Sequence, residues 1–297
     1  MNPIPGLDSV AWASLHGTHR SAQDVPAQIE ALRSRDSEVR RGALDELWDA
    51  VVHQGTRWQV SAYVVPFLVR LIDDPATPDR SDLTRLLRSV GIGPRDDRDL
   101  PFDPDAALNR FGAHTVTKEQ EAMVIERVYY LEEDFTEDWV DIAGACAEKW
   151  DADAYRAAAA HVDAYRRWLA DDDPEVASQA AELLAWFRPA EQTVAALLSA
   201  DRHDAVRVSA NLALAHLDVP SATIVDRMTS LLVHDSLGVR ITAAVALAYR
   251  AGRDLPDRAL GILIDAKEHH ALPDFPGWHE RAQRGYVALA LQRLGLG

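Results

Sequence analysis

Apolar residues recur along this chain at helical intervals, and they do so in copies. Counting from Val206, small or apolar side chains fall at Ala210, Ala213, Leu214 and Leu217; counting from Val239, they fall at Ala243, Ala246 and Leu247. Offsets of four, seven and eight place these side chains on one stripe of an α-helix. The two copies start 33 residues apart, a period that predicts stacked helical hairpins.

The same template is visible elsewhere. Ile29 and Leu32 face a second helix that opens with Val39-Arg40 and continues through Ala43 and Leu47, and Asp24 with Pro26 supplies a start signal for the first. Val65, Phe67, Leu68, Leu71 and Ile72, then Leu83, Leu86, Leu87 and Val90, predict a second hairpin with Asp79-Arg80 at its corner. Val162, Tyr165 and Leu169 precede Val176, Ala180, Leu183, Leu184 and Phe187, and the last hairpin spans Asp257–Lys267 and Gln283–Leu294. The corners Leu32–Val39, Leu169–Val176 and Leu232–Val239 each take seven steps, and connections that short force antiparallel neighbours.

Between these regions the pattern weakens. Gly91, Gly93, Pro94, Pro101 and Pro104 among five aspartates predict an exposed acidic insertion over residues 91–116. Residues 117–150 predict a divergent helix pair, one helix starting at Thr117 and the other capped by Thr136 and carrying Trp139, Ile142, Ala143, Cys146 and Trp150. Residues 1–24 form an N-terminal cap, 25–90 two repeats and 153–294 the remaining repeats, all within one domain spanning 1–297.

The corners Asp36-Ser37-Glu38-Val39-Arg40, Asp204-Ala205-Val206-Arg207 and Leu237-Gly238-Val239-Arg240, each followed by an alanine-rich helix, resemble those of HEAT-type repeats. The opening Leu7–His16 and the His53-Gln54-Gly55-Thr56 segment resemble bacterial HEAT-like repeat proteins of mostly unassigned role. The resemblance implies an all-α, right-handed α-solenoid of about six or seven hairpins. It also implies an interaction scaffold that takes a protein or peptide on its concave groove. Within the wider superfamily it points to phycobilin lyase subunits and to AlkD-type DNA glycosylases acting on alkylated bases, an enzymatic alternative for which the groove offers Trp186, Tyr249 and Glu182.

Charge narrows the partner. With 31 basic and 47 acidic residues the net charge is −16, which repels a phosphate backbone and favours a basic protein or peptide, including an immunity-type or inhibitor role. A lone cysteine, Cys146, allows neither an internal disulfide nor a thiolate metal cluster. An N-terminus without a basic leader and a chain without a long apolar run predict a cytoplasmic protein that spans no membrane. Nucleophile elbow, Walker loop, dinucleotide glycine pattern and His-Glu-x-x-His are all missing from the sequence, so neither a catalytic residue nor a cofactor is expected.

Three groups remain as candidate binding residues. Trp186, His216 and Tyr249 each stand ten positions after the valine slot, a column of rings on the helix flank. Trp48, Asp49, His53, Gln54, Arg57, Trp58 and Tyr63 gather at the end of the first hairpin and the following loop, with His53 and Gln54 near the rim. Glu132, Glu133, Asp134, Glu137, Asp138 and Asp141 with the insertion acids form the densest negative region, a solvated face able to steer a basic partner. Val39, Arg40, Val176, Val206, Arg207, Val239 and Arg240 are expected to be structural, the arginines bonding corner groups. His269, His270, Asp274 and His279 lack metal-ligand spacing, and no metal is expected there.

Overall fold

The computed structural model describes residues 3–131, 136, 139–269 and 271–296. Among them the regular structure is almost all helix, with fifteen α-helices and one two-stranded hairpin. It divides into two compact units, residues 1–94 with 103–161 and residues 95–102 with 162–297.

The first unit holds α1 (Val25–Ala31), α2 (Ser37–Val51), β1 (Val52–His53), β2 (Thr56–Arg57), α3 (Ser61–Asp73), α4 (Arg80–Gly91), α5 (Pro104–Ala107), α6 (Lys118–Tyr129) and α7 (Val140–Ala159). Asp36 caps α2 by accepting from the Glu38 amide, and Thr117 and Gln120 close a reciprocal capping box at α6. α3 packs on both α4 and α7, and α6 lies on α7. Leu68, Ile72, Leu86, Leu87 and Val90 are fully buried there. A second apolar cluster joins Val124 and Ile125 of α6 to Cys146 and Trp150 of α7, with Trp58 and Tyr129 against it.

The second unit holds α8 (Val162–Trp168), α9 (Pro174–Ala185), α10 (Glu191–Leu198), α11 (Asp204–His216), α12 (Ala222–Leu231), α13 (Leu237–Arg250), α14 (Asp257–Glu268) and α15 (Gln283–Arg293). α11 lies between α9 and α13. Flanked on both sides, it is buried around almost its whole circumference, which explains its run of Ala, Ser, Leu and Val. Val176, Val206 and Val239 are completely buried. Val39, placed in the same structural class by the sequence, is 47% exposed. α2 has no such pair of close flanking helices and buries only the stripe Ala43, Leu47 and Val51.

The corner arginines bond to carbonyl groups. Arg40 Nη1 donates to Ser34 O and Arg35 O at 3.0 and 3.2 Å, and Arg240 Nη1 to His234 O and Asp235 O at 2.6 and 2.8 Å. Arg207 Nη2 donates to Asp201 O at 3.1 Å and Arg80 Nε to Ile72 O at 2.8 Å. Ile72 lies in the last turn of α3, where carbonyls have no intrahelical partner, and the other acceptors lie in the turns that follow α1 and two later helices, at residues 32–36, 199–203 and 232–236. Arg40 also pairs with Asp79 at 2.6 Å.

Residues 91–116 depart from the expected exposed insertion. Gly91, Ile92, Asp97 and Leu100 are buried, and residues 95–102 belong to the second unit. Of the acidic run, Glu132, Glu133, Asp134, Glu137 and Asp138 lie outside the described residues, while Asp141 is exposed in the first turn of α7. No helix among the described residues is long and apolar enough to cross a membrane.

Arg240→Ala removes two charge-assisted bonds to otherwise unmatched carbonyls. Chemical denaturation is expected to show a loss of about 2 kcal/mol, which Arg240→Lys restores only in part because one ammonium cannot span both acceptors as the planar fork does. An unchanged midpoint for Arg240→Ala would contradict the corner role.

Candidate functional site

Of the three rings at the shared flank position of the second unit, His216 and Tyr249 meet; Trp186 and His216 are buried and Tyr249 is partly exposed. His216 sits edge-on to Tyr249 with centroids 4.8 Å apart, and Trp278 stacks on its other side at 5.7 Å. Trp186 is buried against Phe102, with centroids at 6.1 Å, and donates to the buried carboxylate of Glu182. Arg293 lies over the Tyr249 ring at 4.0 Å. Two irregular segments cover the column: residues 95–102 and the connection before α15.

Local chemistry fixes both segments. Trp278 Nε1 donates to Ser209 Oγ at 3.0 Å, and Ser209 Oγ donates to Ser178 O at 2.6 Å. Gly277 permits this approach, since its φ is +84° and a Cβ there would lie 2.5 Å from Ser178 O. Arg281 Nε donates to Asp97 Oδ1 at 2.5 Å. Burial raises the Asp97 carboxyl above its ordinary pKa, while the facing Arg281 charge opposes the rise. Sequence spacing showed the rings; it missed Trp278, Phe102, Asp97 and Arg281, which reach them from distant loops. Of the residues that the glycosylase alternative invokes, Trp186 and Glu182 are buried and Tyr249 is partly exposed.

The first-hairpin group separates into three environments. Arg57 is 1% exposed and pairs with Asp151 of α7 at 2.9 Å. Trp58 packs on Tyr129 and Trp150, at 5.9 and 5.7 Å between centroids. Trp48 is half-buried on α2, whereas Gln54 is exposed in the β1–β2 turn at a φ of 49°. His53 is near the surface, where its Nδ1 lies 3.0 Å from Asp49 Oδ1 and His19 Nε2 lies 3.2 Å from Asp49 Oδ2. His19 was not singled out by the sequence, because its turn is remote in the chain from α2.

The first unit also contains a cleft of about 640 Å³ between the N-terminal segment, α3, α6 and α7. Ile125 and Val116 line its apolar part; Lys118, Glu121, Glu126 and Lys149 supply charges, and Gln59 and His16 supply polar groups. Tyr63 and Tyr130 also line it, 45% and 67% exposed. Tyr130 Oη is 3.0 Å from His16 Nε2, and burial lowers the His16 pKa, favouring the neutral imidazole. Lys149 is held by Asp153 at 2.6 Å and lies 3.7 Å from Glu121, whose carboxylate also accepts from Trp150 Nε1. The cleft combines an apolar floor, exposed aromatic edges and fixed charges of both signs, the composition of a recognition site.

The described loop histidines lie apart from one another in their contacts. His269 Nδ1 is 2.8 Å from Asp265 O, His279 is exposed near Asp274, and His270 lies outside the described residues. Cys146 is buried, and burial pushes its thiol up to about 11, which leaves it an inert packing group. No protein-family model and no curated protein matches this chain.

Buried His216 gives this unit a pH signature. Burial, reinforced by the charges of Arg293, Arg281 and Arg250, lowers its pKa to about 3. The unfolded chain protonates this imidazole below pH ~6.5. Its contribution to stability is therefore complete above that pH and is lost progressively as pH falls toward 3. Between pH 7 and 5, His216→Phe is expected to lose about 2 kcal/mol less stability than the natural protein, measured by urea unfolding. Equal losses would place the imidazole in contact with solvent.

Proposed function

We propose that this chain is a non-enzymatic interaction module built from about six or seven HEAT-like hairpins, and that the cleft of the first unit docks a protein or peptide. The observation that carries the docking assignment is the pair of exposed rings, Tyr63 and Tyr130, at a concave surface with an apolar floor. Aromatic side chains at such edges contribute disproportionately to interface energy.

Repeat architecture is supported by contacts that recur at nearly constant separation within the second unit. Ser209 reaches Ser178 over 31 residues, Asn211 reaches Thr242 over 31, and Arg250 reaches Leu217 O over 33. Equal separations are what a stacked hairpin series requires. The partner is a basic polypeptide with an apolar anchor: the anchor enters between Tyr63 and Tyr130, exposed Glu126 meets its cations, and the net charge of −16 draws it in from solution. The same charge weighs against nucleic acid, and the burial of Trp186 and Glu182 weighs against glycosylase chemistry.

A displayed random-peptide library selected against the purified protein is expected to yield sequences that pair Lys or Arg with an aromatic or large aliphatic residue. Affinity should fall about tenfold or more in Tyr63→Ala/Tyr130→Ala and weaken as salt rises. Selection of acidic peptides, or undiminished binding by the double variant, would refute the assignment.

A further inference from the structure

The N-terminal turn and the end of α2 bring together three metal-ligating side chains from two separate stretches of sequence. A tight turn at residues 16–21, closed by Gly17 N donating to Arg20 O at 3.0 Å and by a bridge between His16 and Ser21, carries His19 at its tip. The turn sits directly on the last turn of α2: Thr18 N donates to Ala50 O at 3.0 Å and Thr18 Oγ1 to Asp49 O at 2.5 Å. Only glycine fits at 17, because a Cβ would lie 2.6 Å from Ala50 O. Tyr129 Oη donates to Gly17 O and holds the turn from α6. His19 is thus fixed over Asp49, and His53 follows Asp49 by four residues.

We propose that His19, Asp49 and His53 bind a divalent transition-metal ion of the zinc class. Their ligand atoms, one from each side chain, lie within 4.8 Å of one another. His19 Nε2 lies 3.2 Å from Asp49 Oδ2 and His53 Nδ1 3.0 Å from Asp49 Oδ1, one imidazole on each carboxylate oxygen, at separations near the ~3.3 Å between neighbouring donors of a tetrahedral ion with bonds of about 2.0–2.1 Å. Two imidazoles and one carboxylate suit zinc, cobalt or nickel better than magnesium or calcium, which prefer oxygen donors. Asp24 and Glu46 lie nearby and make the surroundings anionic, while Arg20, the cation at this place, is 3.5 Å from Asp24. The C-terminal end of α2 adds its negative dipole to the same side. A cavity of about 230 Å³, lined by His19, Asp49, Glu46 and Gln28, opens beside the cluster and leaves room for a fourth ligand from solvent or from a bound anion.

The site is independent of the proposed docking cleft, and its test needs no partner. Untagged full-length protein, freed of metal with a chelator, is titrated with Co²⁺ and followed by visible absorption. One equivalent is expected to give the d–d band of an ion with fewer than six ligands; Zn²⁺ should abolish that band and raise the melting temperature, and Mg²⁺ should do neither. His19→Ala and His53→Ala should each weaken binding about tenfold or more, and Asp49→Asn similarly, while His269→Ala/His279→Ala leaves it unchanged. Melting curves without metal establish that each variant is folded, and at least one of the three must be for the comparison. Absence of the cobalt band in the natural protein would overturn the proposal. So would titrations of folded His19, Asp49 or His53 variants that superimpose on the natural one, or a loss confined to the His269/His279 variant.

Discussion

Every α-helix ends with carbonyl groups that have no partner within the helix, and a chain made of short helices must satisfy them many times over. Backbone amides close many of these ends, and guanidinium groups bond the carbonyls of the turns just beyond them. Arg40, Arg80, Arg207 and Arg240 bond carbonyls at the corner that precedes their own helix. Arg250 reaches two carbonyls beyond the end of α11, at Leu217 and Val219. Arginine suits the task because it stays charged and offers several donors in one plane. Where no arginine closes the end of α2, Thr18 bonds Asp49 O and Ala50 O and Ser61 Oγ bonds Val51 O. The closure of that helix is also what sets His19 above Asp49, so a folding requirement positions a chemically capable group.

Satisfied corners let the second helices pack closely. In the second unit α9, α11 and α13 bury small residues on nearly all sides, leaving their flank rings for the irregular segments to cover. Trp278, Phe102 and the Asp97–Arg281 pair then complete an interior of rings and charges. A neutral imidazole, an aspartate facing an arginine and a glutamate bonded to an indole are each tolerated because specific partners or a change of protonation offset the loss of water.

The parts of this architecture set by local periodicity were legible in the sequence. Stripes such as Val176, Ala180 and Leu184 or Val239, Ala243 and Leu247 announce helices with buried faces, and Thr117 announces the start of α6. Val39 matched the same template yet is exposed, because burial depends on which helices flank α2 and that is not written at the valine. Trp186, His216 and Tyr249 share a register position in the sequence, and two of them, His216 and Tyr249, are in ring contact. Their covering was invisible, since the Asp97–Arg281 contact joins residues 184 positions apart. His53 was noticed and His19 was not, for the same reason. Arg57 resembled a rim residue until the partner Asp151, carried by α7, placed it in the interior.

The reading that emerges assigns recognition to the first unit and internal packing to the ring column of the second. Amide hydrogen exchange, with and without a saturating selected basic peptide, tests this division most directly. The account predicts new protection at residues 14–16, 59–63 and 116–130, with residues 178–186 and 209–216 slow to exchange in both states and unchanged by the peptide. Protection that instead appears at 178–186 and 209–216, with the cleft segments unaffected, would contradict it.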